Sequence, residues 1–224
     1  MGYDNTQRIS SQDKYREDGS GSLLAAASAY VEGLLESIQA LAGTTACKGV
    51  QILRLRDWAK EHQCWIDDIE VCGTYSDRGS ENEVYISNDR TIAIKLNDFR
   101  YSDDNLTPFF ERIAAHNHYF PDCAYQLTGF AENRDGKTCA VLCQPLIIAE
   151  RLATQQEIDS ELERLGFHKE MEGGYFTNGE HDIFDAVPNN VLMGIDGHLY
   201  FIDTIIFLSG TGGYDTYRSL SPRA

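Results

Sequence analysis

Leu23, Ala27, Tyr30, Leu34, Ile38 and Leu41 recur at three- and four-residue intervals, the period of one helix face, and Gly43 follows as a stop. This spacing predicts a helix that packs over a sheet. A second helix is predicted over roughly 49–62, with Trp58 buried. The period then drops to two, predicting strands near 66–72, 83–87 and 91–97, the last two joined by the tight turn Ser87-Asn88-Asp89-Arg90. Thr107-Pro108-Phe109-Phe110-Glu111-Arg112-Ile113 opens a third helix, with Pro108 in the first turn, where its missing N–H leaves no bond unmade. Strands near 124–131 and 138–144 flank the turn Asn133-Arg134-Asp135-Gly136. Thr154-Gln155-Gln156-Glu157 is a capping box for a helix reaching about Leu165. Short strands around 167–171 and 174–177 turn at Glu172-Gly173, and further strands carry the chain to Phe207. Ahead of all this, residues 1–20 are polar and run into Gly19-Ser20-Gly21-Ser22, a flexible joint by composition.

Composition narrows the partners. The 224 residues are 42% hydrophobic, enough for a core in one compact unit. A formal charge of −16 repels nucleic-acid phosphates and anionic membrane surfaces, so neither is an expected partner. The polar start lacks the apolar stretch of a secretory signal, and no apolar run approaches the roughly 18 residues of a membrane-spanning helix. The expected location is the cytoplasm. Cys47, Cys64, Cys72, Cys123, Cys139 and Cys143 form no CxxC and no zinc-like spacing with histidine, so all six are expected as free thiols. His181 and Asp182 are adjacent on a strand and face opposite sides, a poor geometry for a catalytic dyad.

The candidate chemistry lies in two halves. Asp185-Ala186-Val187-Pro188-Asn189-Asn190 is followed by the apolar run Leu199-Tyr200-Phe201-Ile202 ending in Asp203. Upstream, Ile92-Ala93-Ile94-Lys95 places one cation on an apolar strand, and Gly79-Ser80-Glu81-Asn82-Glu83-Val84-Tyr85 precedes it where a phosphate-covering hairpin belongs. Phosphoryl transfer needs a cation on the α/β-phosphates and oxygen ligands for magnesium. Lys95 can supply the first; Asn190 and Asp203 can supply the second. Asp185 is then free to accept a hydroxyl proton. Taken alone, Asp185 reads better as a turn residue ahead of Pro188, and the joint order of Gly79, Lys95, Asp185, Asn190 and Asp203 reverses that.

From about Arg54 to Phe207 the chain resembles the polyvalent protein kinase domain, a reduced protein-kinase-like module of phages and bacterial conjugative elements. The resemblance rests on Trp58-Ala59-Lys60 with Trp65-Ile66, the Gly79 hairpin and Ile94-Lys95-Leu96-Asn97-Asp98. It continues through Ala115-His116-Asn117 with Phe120-Pro121-Asp122, Leu127-Thr128-Gly129-Phe130, Gln144-Pro145 and the Asp185 to Asp203 block. It implies an α+β, two-lobed fold: an antiparallel N-terminal sheet, an equivalent of kinase helix C and a truncated C-terminal lobe. The expected division is a tail at 1–22, a packing helix at 23–48, an N-lobe-like region at 49–146 and a reduced C-lobe at 147–224. The resemblance also implies a nucleotide cradled by Gly79, Ser80 and Lys95, with Glu111 as the candidate partner of Lys95. An ordinary exposed helical glutamate is the equal alternative for Glu111. The backbone around Gln144 and Leu146 would meet the adenine edge.

Departures from the pattern matter too. Of the three phosphate-loop glycines only Gly79 is clearly present, Asp77 and Asn82 falling at the other places. Ile183 and Phe184 stand where His and Arg would precede the catalytic Asp, and Val187 replaces the basic residue two positions after it. The γ-phosphate is thereby short of one cation. Thr204 and Ile205 follow Asp203 in place of Phe-Gly, and the sequence ends about twenty residues later, so no full activation segment is expected. Two readings stay open. One is an ATP- and Mg2+-dependent phosphotransferase of serine/threonine-kinase type, acting on a hydroxyl of a protein or small molecule. The other is a catalytically silent nucleotide-binding or protein-interaction module.

Overall fold

A computed structural model describes residues 22–102, 104–171, 174–212 and 215. The polar tail before Ser22 and the Glu172-Gly173 turn lie outside the described residues.

Helix α1, Leu23–Ala42, begins where the Ser22 side chain accepts the Ala25 N–H at 3.2 Å and ends at Gly43, whose φ of 65° gives the left-handed cap. Only its first half is packed. Leu23, Ala27 and Val31 are buried, whereas Leu41 is 90% exposed, because the helix outruns the surface beneath it. Helix α2, Lys48–Glu61, buries Gln51, Leu55, Trp58 and Ala59. Gln51 joins three helices at once: its Nε2 donates to the Val31 carbonyl at 3.0 Å, and its Oε1 accepts the Leu106 N–H at 2.8 Å, just ahead of helix α3, Thr107–Tyr119.

Six strands form the first sheet: β1 Trp65–Ile66, β2 Gly73–Arg78, β3 Asn82–Ser87, β4 Ile92–Asn97, β5 Gln126–Glu132 and β6 Thr138–Pro145. Their spatial order is β1-β5-β6-β4-β3-β2, with every pair antiparallel except β1 with β5. At that parallel contact a Cβ on Gly129 would lie 2.6 Å from the Cys64 carbonyl oxygen, so only glycine allows the approach. The strand predicted near 66–72 does not form. Asp68 accepts the Glu70 N–H at 3.0 Å and caps a short 3-10 turn, Ile69–Val71, so pairing resumes only at Gly73.

Alternation along β4 decides which side chains face the helices. Ile94 and Leu96 join Tyr85, Ala131, Cys139 and Val141 in a core on one face. Lys95, out of phase with them, lies across from Val84 and Leu142, and Leu142 belongs to the opposite core with Trp58, Phe109, Phe110, Ile113 and Phe130.

Beyond Pro145 come β7 Ala149–Leu152, helix α4 Gln155–Arg164 and six short strands: β8 His168–Met171, β9 Tyr175–Thr177, β10 His181–Phe184, β11 Val191–Gly194, β12 Leu199–Phe201 and β13 Ile205–Leu208. They make a four-stranded sheet, β13-β10-β9-β8, and a three-stranded one, β12-β11-β7. The capping box of α4 is complete, with Thr154 and Glu157 bonding reciprocally. Ile158, Leu162, Phe167, Phe176, Ile183, Val191, Phe201 and Ile206 build this half's core, which also takes Ala115 of α3 and Phe120 just beyond it. Helix α3 therefore serves both cores.

Gln51→Leu keeps the side chain's bulk but removes both helix-linking bonds, leaving a buried N–H without a partner. Chemical denaturation should show a loss of about 1–3 kcal/mol. A change below about 0.5 kcal/mol would contradict the clasp.

Candidate functional site

Lys95 is 6% exposed, a position a charged lysine occupies only when its ammonium is met by acceptors. Its Nζ donates to the Ile202 carbonyl, lies 3.3 Å from the Tyr125 hydroxyl and 3.4 Å from Asp203 Oδ1. Burial pulls the Lys95 pKa down, but the Asp203 carboxylate and Tyr125 outweigh it and hold it above its ordinary value. Tyr125 is pushed up to about 12, by burial first, with Lys95 opposing and Asp203 adding. Tyr125 also donates to the Ile202 carbonyl at 2.8 Å, so strand β4 and the segment before Asp203 are fastened through two donors on one acceptor. Lys95 and Asp203, 108 residues apart, thus meet at one place.

The β2–β3 turn bends over this pair. Asn82 Nδ2 donates to Asp203 Oδ1 at 3.3 Å, and Asn97 Nδ2 donates to Asn82 Oδ1 at 3.0 Å. Gly79 closes the turn, its N–H donating to the Asn82 carbonyl at 2.9 Å. Ser80 is exposed at the tip. Nothing in the chain itself requires a glycine at 79, where an added Cβ would find only the Asn82 oxygen at 3.9 Å.

Glu111 does not pair with Lys95. It is exposed on the outer face of α3 and lines a cavity of about 380 Å³ with Ala115, His118, His181 and Ile206. One residue is about 100° of helix, and that rotation turns Arg112 inward instead. Arg112, 6% exposed, forms a two-pronged pair with Glu81 at 2.6 and 3.0 Å. Its guanidinium also lies 5.7 Å from the centre of the Tyr101 ring. The ionic link between hairpin and helix is present, but with its signs reversed from the expected strand-lysine to helix-glutamate pair.

Asp185 sits at the end of β10 with φ of 59°, a left-handed backbone unusual for a side chain other than glycine. Its carbonyl accepts the Val187 N–H at 2.9 Å and Asn190 Nδ2 at 2.8 Å. Gly174 allows this loop to close, because a Cβ there would lie 2.8 Å from the Ala186 nitrogen. With Nδ2 of Asn190 committed to Asp185, its Oδ1 is the atom left to face a hard cation. The Ile202 N–H donates to the Asn190 carbonyl at 2.9 Å, so Asn190 and Asp203 belong to one hydrogen-bonded corner. Asp203 keeps 42% of its side chain exposed. An amide oxygen and an exposed carboxylate from one corner are ligands of the kind magnesium takes, since it prefers oxygen and retains waters.

Residues 48–210 match the family described as a serine/threonine/tyrosine kinase found in polyvalent proteins. The chain belongs to that family. No curated protein and no solved structure matches it. Its mixed α+β architecture, with four α-helices and several sheets among the described residues, is compatible with a kinase-like fold.

Several segments that carry the resemblance acquire reasons in the structure of this kinase-like chain. His116 Nε2 donates to the Phe201 carbonyl at 2.8 Å, and since a carbonyl only accepts, that nitrogen carries the proton. Asn117 clasps the Tyr125 backbone through two bonds of 2.7 Å, which aims the Tyr125 ring at Lys95. At the proposed adenine edge the Leu146 N–H already donates to the Thr91 carbonyl at 2.8 Å, and Gln144 Nε2 donates to the Cys123 carbonyl at 2.6 Å. Leu146 must leave Thr91 before it can meet a base. His181 and Asp182 part as adjacent strand residues must, the first to Tyr119 at 3.1 Å and the second to Thr177 and Ser209, each at 2.6 Å. All six cysteines are free. No group of three or more His, Cys, Asp or Glu side chains among the described residues could hold a metal, and no helix among them is long and apolar enough to cross a membrane.

Tyr125, Arg112, Glu81 and Asn82 were not singled out by sequence reasoning as site residues. The reversed ion pair joins residues 31 apart across an α/β boundary, and no local pattern signals it.

Burial drops the His116 pKa to about 4, with the Lys95 charge acting in the same direction and the Phe201 carbonyl opposing. The unfolded chain, titrating near 6.5, therefore binds the proton more readily than the folded one. His116 contributes full stability above pH 6.5 and loses it as pH falls toward 4, by up to about 3 kcal/mol. His116→Gln should flatten that part of the acid-denaturation profile. A wild-type-minus-variant difference with no slope across this window would contradict it.

Proposed function

We propose that this chain is an ATP- and magnesium-dependent phosphotransferase that moves the γ-phosphate to a hydroxyl of a protein or small molecule. The observation that carries the reading is the meeting of Lys95 with Asp203, beside the corner that ties Asn190 to Asp185. In this reading Lys95 binds the α/β-phosphates, and Asn190 and Asp203 ligate magnesium. When bound, magnesium neutralises charge that spreads over the phosphate oxygens. Asp185 takes the proton of the acceptor hydroxyl. That oxygen then bonds to the γ-phosphorus as the bond from phosphorus to the β,γ-bridging oxygen breaks, and ADP leaves. The left-handed backbone at Asp185 costs free energy, and such strain is found where a reacting group is held in place.

In this reading the first sheet with α3 is the N-lobe, spanning 49–146, and the smaller sheets are the reduced C-lobe, 147–224. Two separate cores, both reached by α3, support a division near 146, and Leu23, Ala27 and Val31 of α1 pack into the first of them. Gly79 and Ser80 close over the phosphates, and the exposed tip leaves them room. The backbone of Gln144 and Leu146 receives the adenine once Thr91 is released. A cytoplasmic home with ready Mg2+–ATP suits an acidic chain, which must bind the nucleotide as its metal complex. A silent interaction module is the rival, and one observation favours it: Asn82 occupies Asp203 Oδ1, an oxygen the metal would use.

Two measurements separate the roles. By calorimetry, Asp203→Asn should weaken Mg2+–ATP binding at least about tenfold and Asp185→Asn little, because a base that acts on the acceptor adds little to ground-state binding. Equal losses, or binding unchanged by chelating magnesium, would overturn the assignment. Lys95→Met should abolish phosphate transfer while the chain still folds, at a lower melting temperature, since the thioether fills the lysine stem's place but leaves the buried acceptors without their cation. Activity retained in that variant would remove Lys95 from the site.

A further inference from the structure

We infer that Arg112 is the second phosphate cation of this site, a γ-phosphate-binding residue held by Glu81 until nucleotide arrives. The inference rests on the phosphotransferase reading and deepens it. Val187 stands where a basic residue is expected two positions after the catalytic carboxylate, so the strand side of the site lacks a cation for the γ-phosphate. Arg112 brings one from the opposite wall. It is buried, and its counter-charge comes from the turn that would cover the phosphates rather than from the core.

Two contacts tie it to the cleft. Its partner Glu81 adjoins Asn82, which donates to Asp203. The Tyr101 ring, 5.7 Å from the guanidinium, carries a phenol whose pKa is raised by burial and by the nearby carboxylates of Glu81 and Asp185, with a side-chain hydrogen bond from Ser80 opposing. Arg112 itself is held above its ordinary pKa because Glu81, and more weakly Tyr125 and Asp203, outweigh the effect of burial. The guanidinium is thus held between Glu81 and the Tyr101 ring, one residue along the turn from the Asn82 that donates to Asp203. A guanidinium has five N–H donors in a fixed fork, and Glu81 takes one from each of its two terminal nitrogens. The remaining N–H groups can donate to an incoming phosphate oxygen as Glu81 is released. The fork geometry also suits a phosphate better than a lysine's single point of charge does.

A structural strut and a γ-phosphate ligand differ in what they discriminate. Binding of adenylyl imidodiphosphate and of ADP, each with magnesium, is measured for the full chain and for Arg112→Gln, Arg112→Lys and Glu81→Gln. Wild type should favour the triphosphate analogue by about tenfold or more, the size expected for a charge-assisted bond. Arg112→Gln should erase that preference while leaving ADP affinity within about threefold, and Arg112→Lys should retain part of it. Glu81→Gln keeps the cation and removes its competitor, so the preference should rise; this variant decides the matter if Arg112→Gln does not fold. Loss of both affinities in equal measure in Arg112→Gln, or a preference unchanged in Glu81→Gln, would make Arg112 a strut and overturn the inference. Wild-type protein that binds neither nucleotide would overturn the phosphotransferase reading and this inference with it.

Discussion

A buried lysine organises this molecule. Removing an ammonium from water is unfavourable unless acceptors replace the lost hydration, and here they come from three directions: a backbone carbonyl at 202, a phenol on β5's approach and a carboxylate at 203. Each acceptor is itself positioned. Asn117 holds the Tyr125 backbone, His116 and the Cys123 thiol hold the Phe201 carbonyl one residue before Ile202, and Asn82 holds Asp203. To keep Lys95 charged, the sheet, helix α3 and the return strand must all be in register. Disturbing any of these groups therefore disturbs the others.

Helix α3 is the element through which that requirement spreads. Its Phe109, Phe110 and Ile113 are part of the sheet core, and Ala115 and the following Phe120 are part of the second core, where the Phe120 ring stacks on Phe201 at 4.2 Å. Between them the helix directs Arg112 toward the turn that covers the site and His116 toward the strand that ends in Asp203. A rigid body that contributes to both cores and carries two groups into the cleft couples the packing of each half to the geometry between them. The neutral state of His116 belongs to this design, since burial and the repulsion of the Lys95 charge both disfavour a second cation there.

Much of this was legible in the sequence, and the misses have a common origin. The period-two run at 92–97 and the order of Gly79, Lys95, Asp185, Asn190 and Asp203 implied a strand-borne cation meeting a carboxylate, and Lys95 and Asp203 do meet. The Thr154 capping box and the Gly43 stop are local signals and appear where local chemistry puts them. What failed was phase and reach. Glu111 and Arg112 are neighbours in sequence but face about 100° apart, and which one turns inward depends on how α3 sits on the sheet. Gln51 looks like a solvated helix position until two other helices close over it. The predicted strand at 66–72 gave way because one carboxylate, Asp68, satisfied a backbone N–H locally.

The central claim is that Lys95, Asn190 and Asp203 form one cradle for a metal-bound nucleotide. Its most direct test is the structure of the chain crystallised with magnesium and a non-hydrolysable ATP analogue. The account predicts Lys95 Nζ within hydrogen-bonding distance of an α- or β-phosphate oxygen, and a magnesium ion on the oxygens of Asn190 and Asp203, with Asn82 displaced from Asp203 Oδ1. A nucleotide bound elsewhere, or one bound while Asp203 remains tied to Lys95 and Asn82 with no metal between, would contradict it.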